Sequence, residues 1–369
     1  RGPGAVNAAC VAVLHPCREN STQPALQAEL LDWAEEDAHR AALIVSDLLS
    51  SRRGCPSFVA YSLAAALIAR ANARPRSSRQ CSAVRALRDM AKLRAPRKFD
   101  IGNILLKAGA AHLFLHLVEH GAPRAQKIAI QAVEALAINC YKTASGVISE
   151  AIPALVTVAR AGQLDCKRAA LDALMMILEH GRSVHGPKPM QRIEQVGGIR
   201  VIVNLLAHDN AEIQGAAAGT LWSVILTEHV YILQTVSHGC IPRLVALLGN
   251  CQVEYREFTL HCLEAVTALG PSRSEAHRAG VLPLLLIALS EVTGYDETES
   301  LLTSLHHYAL ELPSQFKTFA VSQREAALQR LIWLAHNSDD NSEKATLLLR
   351  GVGEQDQQVN EWIMQLGFP

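Results

Sequence analysis

Apolar and polar positions alternate along the chain in one recurring phrase. The strings AGAAHLFLHLV (108–118), SEAIPALVTVA (149–159), VGGIRVIVNLL (196–206), HGCIPRLVALL (238–248) and AGVLPLLLIAL (279–289) align position for position. Each reads as a small residue, a glycine, two apolar residues, often a proline, and then an apolar run at helical spacing. The equivalent positions are Gly109, Glu150, Gly197, Gly239 and Gly280, in steps of 41, 47, 42 and 41 residues. That period belongs to helical repeats of about 40–47 residues.

The phrase predicts a short helix, a tight corner and a longer helix. Glycine supplies a backbone conformation or a close approach that a Cβ would obstruct. Pro153, Pro242 and Pro283 suit a helix start, where the missing N–H is not needed. Each apolar run ends in a polar break and is followed by a segment rich in small residues: AVEAL at Ala132, ALDAL at Ala170, AAGTL at Ala217 and CLEAV at Cys262. Small residues there let a third helix pack closely on its neighbours. Five such units, with five corners, span about residues 101–312. The flanks are less regular. Helical periodicity over 26–49, 57–73 and 83–93, with a break at Pro75 to Ser78, predicts an N-terminal cap (1–100) of degenerate repeats. Helices over 325–336, 342–349 and 359–366 predict a C-terminal cap (313–369).

With its Gly corners in phase, the chain resembles the armadillo-repeat family of helical solenoids. HEAT repeats are the nearest rival, and the repeated Gly favours armadillo. The resemblance implies an all-α, armadillo-like right-handed superhelix whose unit is a short helix, a Gly corner and two longer antiparallel helices. It also implies extended peptides held along a concave groove of third helices, with repeated Asn side chains gripping the ligand backbone. This chain departs from that ladder. Ile138, Met176 and Ser223 stand where Asn is expected, with His307 near the same place in the fifth unit. Asn139 lies one residue off, and Trp222 is the only tryptophan between 101 and 312. The groove candidates are therefore Asn139, Trp222, Ser223, His306 and His307, and a specialised contact is expected rather than generic peptide gripping.

Composition agrees with helix: 49% of the 369 residues are hydrophobic, but only 5% are aromatic, so Ala, Leu, Val and Ile supply most of the apolar mass. Lys plus Arg balances Asp plus Glu at 35 each, which commits the whole chain to neither nucleic acid nor membrane. The balance hides a gradient. Residues 70–98 hold ten bases against Asp89 alone, and 291–369 hold twelve acids against five bases. Arg74, Arg76, Arg79, Arg85, Arg88, Lys92, Arg94, Arg97 and Lys98 are candidate anion-binding residues, set against the plainer reading of a solvated cap. No aromatic precedes Phe99 in that stretch, so nucleic acid would be held there through phosphates rather than by stacking.

The nine cysteines show no paired spacing, which points to free thiols and a reducing intracellular compartment, cytoplasmic or organellar. No unbroken apolar run reaches the ~18 residues of a membrane span, so no membrane insertion is expected. The first residue is Arg1 rather than Met, which is read as a processed or incomplete chain from which any targeting segment has gone. His238, Cys240, Cys251, His261 and Cys262 share metal-ligand chemistry but lack paired ligand spacing, and core packing is the expected role of the cysteines. Neither metal nor cofactor is expected. Nothing matches a nucleophile elbow, a P-loop or a dinucleotide fingerprint, so no catalysis is expected. The preferred function is a non-catalytic scaffold or adaptor for protein partners, as a subunit of a large assembly. A second reading is an RNA- or anion-associated subunit of a ribonucleoprotein anchored through 70–98.

Overall fold

A computed structural model describes residues 57–93, 100–182, 189–250, 253–292, 294–311, 326–337, 341–353, 360–361 and 364. The predicted helix over 26–49 lies outside the described residues, as does nearly all of 359–366. Among the described residues every regular element is a helix. They fall into two compact units, Arg1–Gly198 and Ile199–Pro369.

The first unit contains α1 (Ser57–Ala73), α2 (Ser78–Ala91), α3 (Ile101–Lys107), α4 (Ala110–His120), α5 (Pro123–Ala161), α6 (Leu164–Gly181) and α7 (Pro189–Gln195). Helix starts follow local chemistry. Ser77 caps α2 by accepting from the Gln80 N–H at 3.1 Å, and Asp100 caps α3 by accepting from the Asn103 N–H at 3.0 Å. Such caps satisfy donors that have no partner inside the helix. The third-helix segments α2, the first part of α5, and α6 pack on one another in sequence order. Phe114 of α4 and Ile130, Leu136, Ile148 and Ile152 of α5 are fully buried, each contributing about 1.5–3 kcal/mol of transfer free energy.

The second unit follows from α8 (Gly198–Leu205), with α9 (Ala211–Ile225), α10 (His229–Ser237), α11 (Cys240–Asn250), α12 (Val253–Thr267), α13 (Gly270–Arg278), α14 (Val281–Glu291), α15 (Tyr295–Glu311), α16 (Ala326–Asn337) and α17 (Ser342–Gly353). Here α9, α12, α15 and α17 form the row of third helices, each packed on the next. Gly215 shows why small residues recur in these helices, because a Cβ at that position would run into the Tyr255 ring of α12.

Four of the five expected corners form. Gly109, Gly197, Gly239 and Gly280 have φ of 91°, 69°, 76° and 82°, the left-handed region that costs a residue with a side chain about 1–2 kcal/mol. A Cβ at Gly109, Gly197 or Gly280 would meet nothing within 4 Å, so conformation rather than crowding selects glycine there. The flanking helices meet at 77° across Gly109 and at 79° across Gly239. The fifth corner, at Glu150, is absent. α5 runs for 39 residues through that position, Pro153 lies inside it, and its one non-helical residue is Cys140 (φ −133°, ψ 21°). The bend at Cys140 separates the third helix of one repeat from the next, where Gly102 of α3 approaches so closely that a Cβ would lie 2.6 Å from that of Cys140. Glu150 keeps helical dihedrals although Pro153, three residues on, cannot donate an N–H to the helical ladder.

The fused helix also corrects the expectation drawn from unbroken apolar runs. An 18-residue window of α5 reaches a mean hydropathy of 1.2, which makes the helix long and apolar enough to cross a membrane by length and composition. Half of that window is buried inside the protein. Its alanines and branched aliphatics are interrupted by polar residues and so form no continuous run, yet they raise the average.

Candidate functional site

In the first unit the third helices bring together cations that lie far apart in sequence. Arg85 and Arg88 of α2, Arg124 and Lys127 of α5, and Asp165 and Cys166 of α6 line a cleft of about 480 Å³. The Arg88 guanidinium donates to Asp89 Oδ1 at 2.9 and 2.7 Å and to Gln131 Oε1 at 2.8 Å, tying α2 to α5. Lys127 Nζ donates to Asp165 Oδ2 at 2.9 Å, tying α5 to α6. The Cys166 thiol donates to the Pro123 carbonyl at 3.3 Å, and burial pushes its pKa up.

The basic stretch is not gathered on one face. Arg70 is 4% exposed. Arg74, Arg76 and Arg79 are exposed in the turn before α2 and in its first turn, where Arg76 adopts φ 61°. Arg85 and Arg88 are half-buried beside the cleft, and Lys92 is exposed at the other end of α2. Arg94, Arg97 and Lys98 lie outside the described residues. Asn139 is engaged within the fold. Its Nδ2 donates to Ala91 O at 3.3 Å and to Ala135 O at 3.2 Å, covering the end of α2. Further along this face, burial raises the carboxyl pKa of Glu134 and neighbouring Asp172 adds to the rise, against Lys92 and Arg88. Burial also raises Asp172, against Arg168.

The second unit presents a different row. Trp222 of α9 stacks on His261 of α12 with ring centroids 4.9 Å apart and planes 18° from parallel. His261 Nδ1 lies 2.7 Å from Ser300 Oγ of α15, and Glu257 and Glu264 are 3.6 and 3.8 Å from its ring nitrogens. The neighbouring Glu264 carboxylate raises the His261 pKa, and burial only partly opposes it. Burial pulls Glu264 upward, but the neighbouring His261 and Ser300 side chains outweigh it and hold the carboxyl below its usual value. Lys344 of α17 donates to Glu299 Oε1 at 3.1 Å and Thr303 Oγ1 at 3.0 Å, joining α17 to α15.

Of the other groove candidates, Ser223 is 5% exposed and packs inward, while His306 and His307 are half-buried on α15. The adjacent Tyr308 is fully buried, and its hydroxyl has no hydrogen-bond partner among the described residues.

Two cysteines of the metal-type cluster, Cys240 and Cys262, pack as core. Cys240 and Cys262 are buried and free. Burial pushes the Cys240 thiol up to about 12 and the Cys262 thiol well above its usual value, where Cys240 adds to the rise. No group of three or more metal-ligating side chains occurs among the described residues, and Cys251 lies outside them.

Sequence reasoning missed Arg124 and Lys127. They lie one repeat period beyond Arg85 and Arg88, so stacking of equivalent helices sets the two pairs side by side, and superposing charges at the repeat period would have found them. It also weighed His261 only as a metal ligand. Its partners Trp222 and Ser300 each lie 39 residues away, again about one period.

No protein-family profile and no curated protein sequence matches the chain. Solved structures do. An engineered protein from a structural genomics consortium superposes with a TM-score of 0.67 at 19% identity, covering 94% of this chain and 82% of its own. A designed armadillo repeat protein superposes with a TM-score of 0.56 at 18% identity, over 66% of this chain and 98% of its own. A second designed armadillo repeat protein, in complex with the peptide (KR)4, gives 0.54 at 15% identity, over 65% and 98%. The fold is that of an all-α armadillo-like repeat protein.

Proposed function

We propose that this protein is a non-catalytic scaffold or adaptor that binds protein partners through the third-helix faces of its repeats, as a subunit of a larger assembly in a reducing intracellular compartment. The supporting observation is that neighbouring third helices hold polar and aromatic side chains ready through bonds between helices: Arg88 to Gln131, Trp222 to His261 to Ser300, and Lys344 to Glu299. A surface ordered before binding loses less conformational entropy when a partner docks. That a designed protein of this fold is in complex with a peptide favours a peptide segment as the partner's contribution.

Crosslinking in the native source, followed by peptide mapping, tests the reading. Partner crosslinks should fall on residues of α2, α5, α6, α9, α12 and α15, and Trp222→Ala with His261→Ala should weaken those on α9 and α12. Crosslinks confined to other helices, with the double variant unaffected, would sink the proposal.

A further inference from the structure

We infer that the cleft between α2, α5 and α6 binds a phosphorylated serine or threonine on a segment of a protein partner. The inference rests on the scaffold reading for the identity of the carrier, and on the cleft itself for the chemistry.

Charge accounting within the cleft leads to a dianion. Arg88 is neutralised by Asp89 and Lys127 by Asp165. Arg85 and Arg124 also line the cleft, and neither has an ion-pair partner among the described residues. Two positive charges are left over, and a phosphomonoester carries about −1.5 to −2 at neutral pH. Each free guanidinium is a planar fork that can take two phosphate oxygens, a geometry a lone carboxylate cannot fill twice.

The backbone adds to the same field. Residues from the N-terminal turns of α5 and α6 line this cleft, and neither cap residue, Ala122 or Gln163, makes a side-chain capping bond. The dipoles of both helices favour an anion at these ends, where Asp165 already stands in the first turn of α6 and Pro123 of α5 has no N–H to offer. About 480 Å³ is within the range of small-ligand sites and accommodates a phosphorylated side chain with its neighbouring residues. No aromatic side chain lines the cleft, so it offers no platform for stacked bases.

The test uses the full chain and two bead-bound libraries of short degenerate peptides, one with a central phosphoserine and one with serine. The wild type should be retained selectively on the phosphoserine library and released by inorganic phosphate. Arg85→Glu with Arg124→Glu should lower retention by about tenfold or more, the loss of two charge-assisted contacts, while Arg85→Lys with Arg124→Lys restores part of it. Both substitutions are at the surface of the cleft, and an unchanged helical circular dichroism melt shows that the fold persists. Equal wild-type retention on both libraries would overturn the inference. So would unchanged retention by the Glu double variant, or binding of an RNA oligomer lost in that variant with no preference for phosphoserine. A partner that still binds the double variant, and still binds after phosphatase treatment, removes this inference and leaves the scaffold reading standing.

Discussion

Position 150 in the first unit and position 239 in the second occupy the same place in the repeat, yet the chain runs straight at the one and turns at the other. Gly239 has φ 76° and joins two helices at 79°. Glu150 is one exposed residue within the 39-residue helix α5. Both are followed by the same apolar-apolar-proline pattern, so the surrounding phrase does not make the corner. The two positions differ in the Cβ, which makes left-handed backbone costly at 150 and not at 239. The third-helix faces differ in a parallel way. In the first unit Glu134 and Asp172 crowd like charges together, whereas in the second Glu264 meets His261.

The largest expected effect tests the corner directly. Gly239→Val forces a β-branched residue to φ 76° and should cost about 2 kcal/mol or more, while Glu150→Val in a helix costs less than about 1 kcal/mol. Urea unfolding of both variants checks this, and equal losses would mean that the corner is not conformationally selected. Next in size, Glu150→Gly should destabilise by about 1 kcal/mol by loosening a helix that continues through the site. A gain in stability would show that the fused helix is held under strain.

A smaller effect concerns the facing charges of the second unit. His261→Phe keeps a ring against Trp222 but removes the hydrogen bond with Ser300 and the charge contact with Glu264, at a cost of about 0.5–1 kcal/mol. The folded His261 pKa is raised from 6.5, so its contribution is complete below that value and fades as pH rises through the higher folded pKa. Glu264, lowered from 4.5, contributes above 4.5 and loses that contribution as pH falls through its folded pKa. The difference between wild type and variant should therefore be greatest between about pH 4.5 and 6.5, as read by thermal melts across pH. A flat difference from acid to alkaline pH would show that packing alone is lost.

Smallest is Glu134→Gln, expected to stabilise the protein by a few tenths of a kcal/mol at neutral pH. The folded pKa is raised above 4.5, so ionised Glu134 weakens the native state at higher pH. That penalty disappears as pH falls through the folded pKa and below 4.5. Chemical denaturation at neutral and acidic pH should show the gain only at the former, and a loss at neutral pH would show that the ionised carboxylate supports the fold through Arg88 and Lys92.

The repeat was legible because stacking equivalent helices imposes the same apolar spacing on each unit. The break at Pro75 to Ser78 became the capped turn before α2, and the C-terminal periodicities became α16 and α17. Glu150 was legible in principle too: the same glycine argument that marks four corners forbids the fifth. The cleft was not, because a charge such as Arg124 reads identically in sequence whether it faces solvent or another repeat's arginine. The engagement of Asn139 was not legible for a related reason. Only the position of the Ala91 carbonyl at the end of α2 shows that its amide is already engaged.

By itself, then, the sequence determined the helical class, the repeat length and the residues able to turn left-handed, since these depend on local backbone energetics and on apolar period. Tertiary structure alone decided which charges meet. Arg85 and Arg124, or His261 and Ser300, become neighbours only when helices about one period apart are packed side by side, and that packing sets the distances on which charge pairing and hydrogen bonding depend.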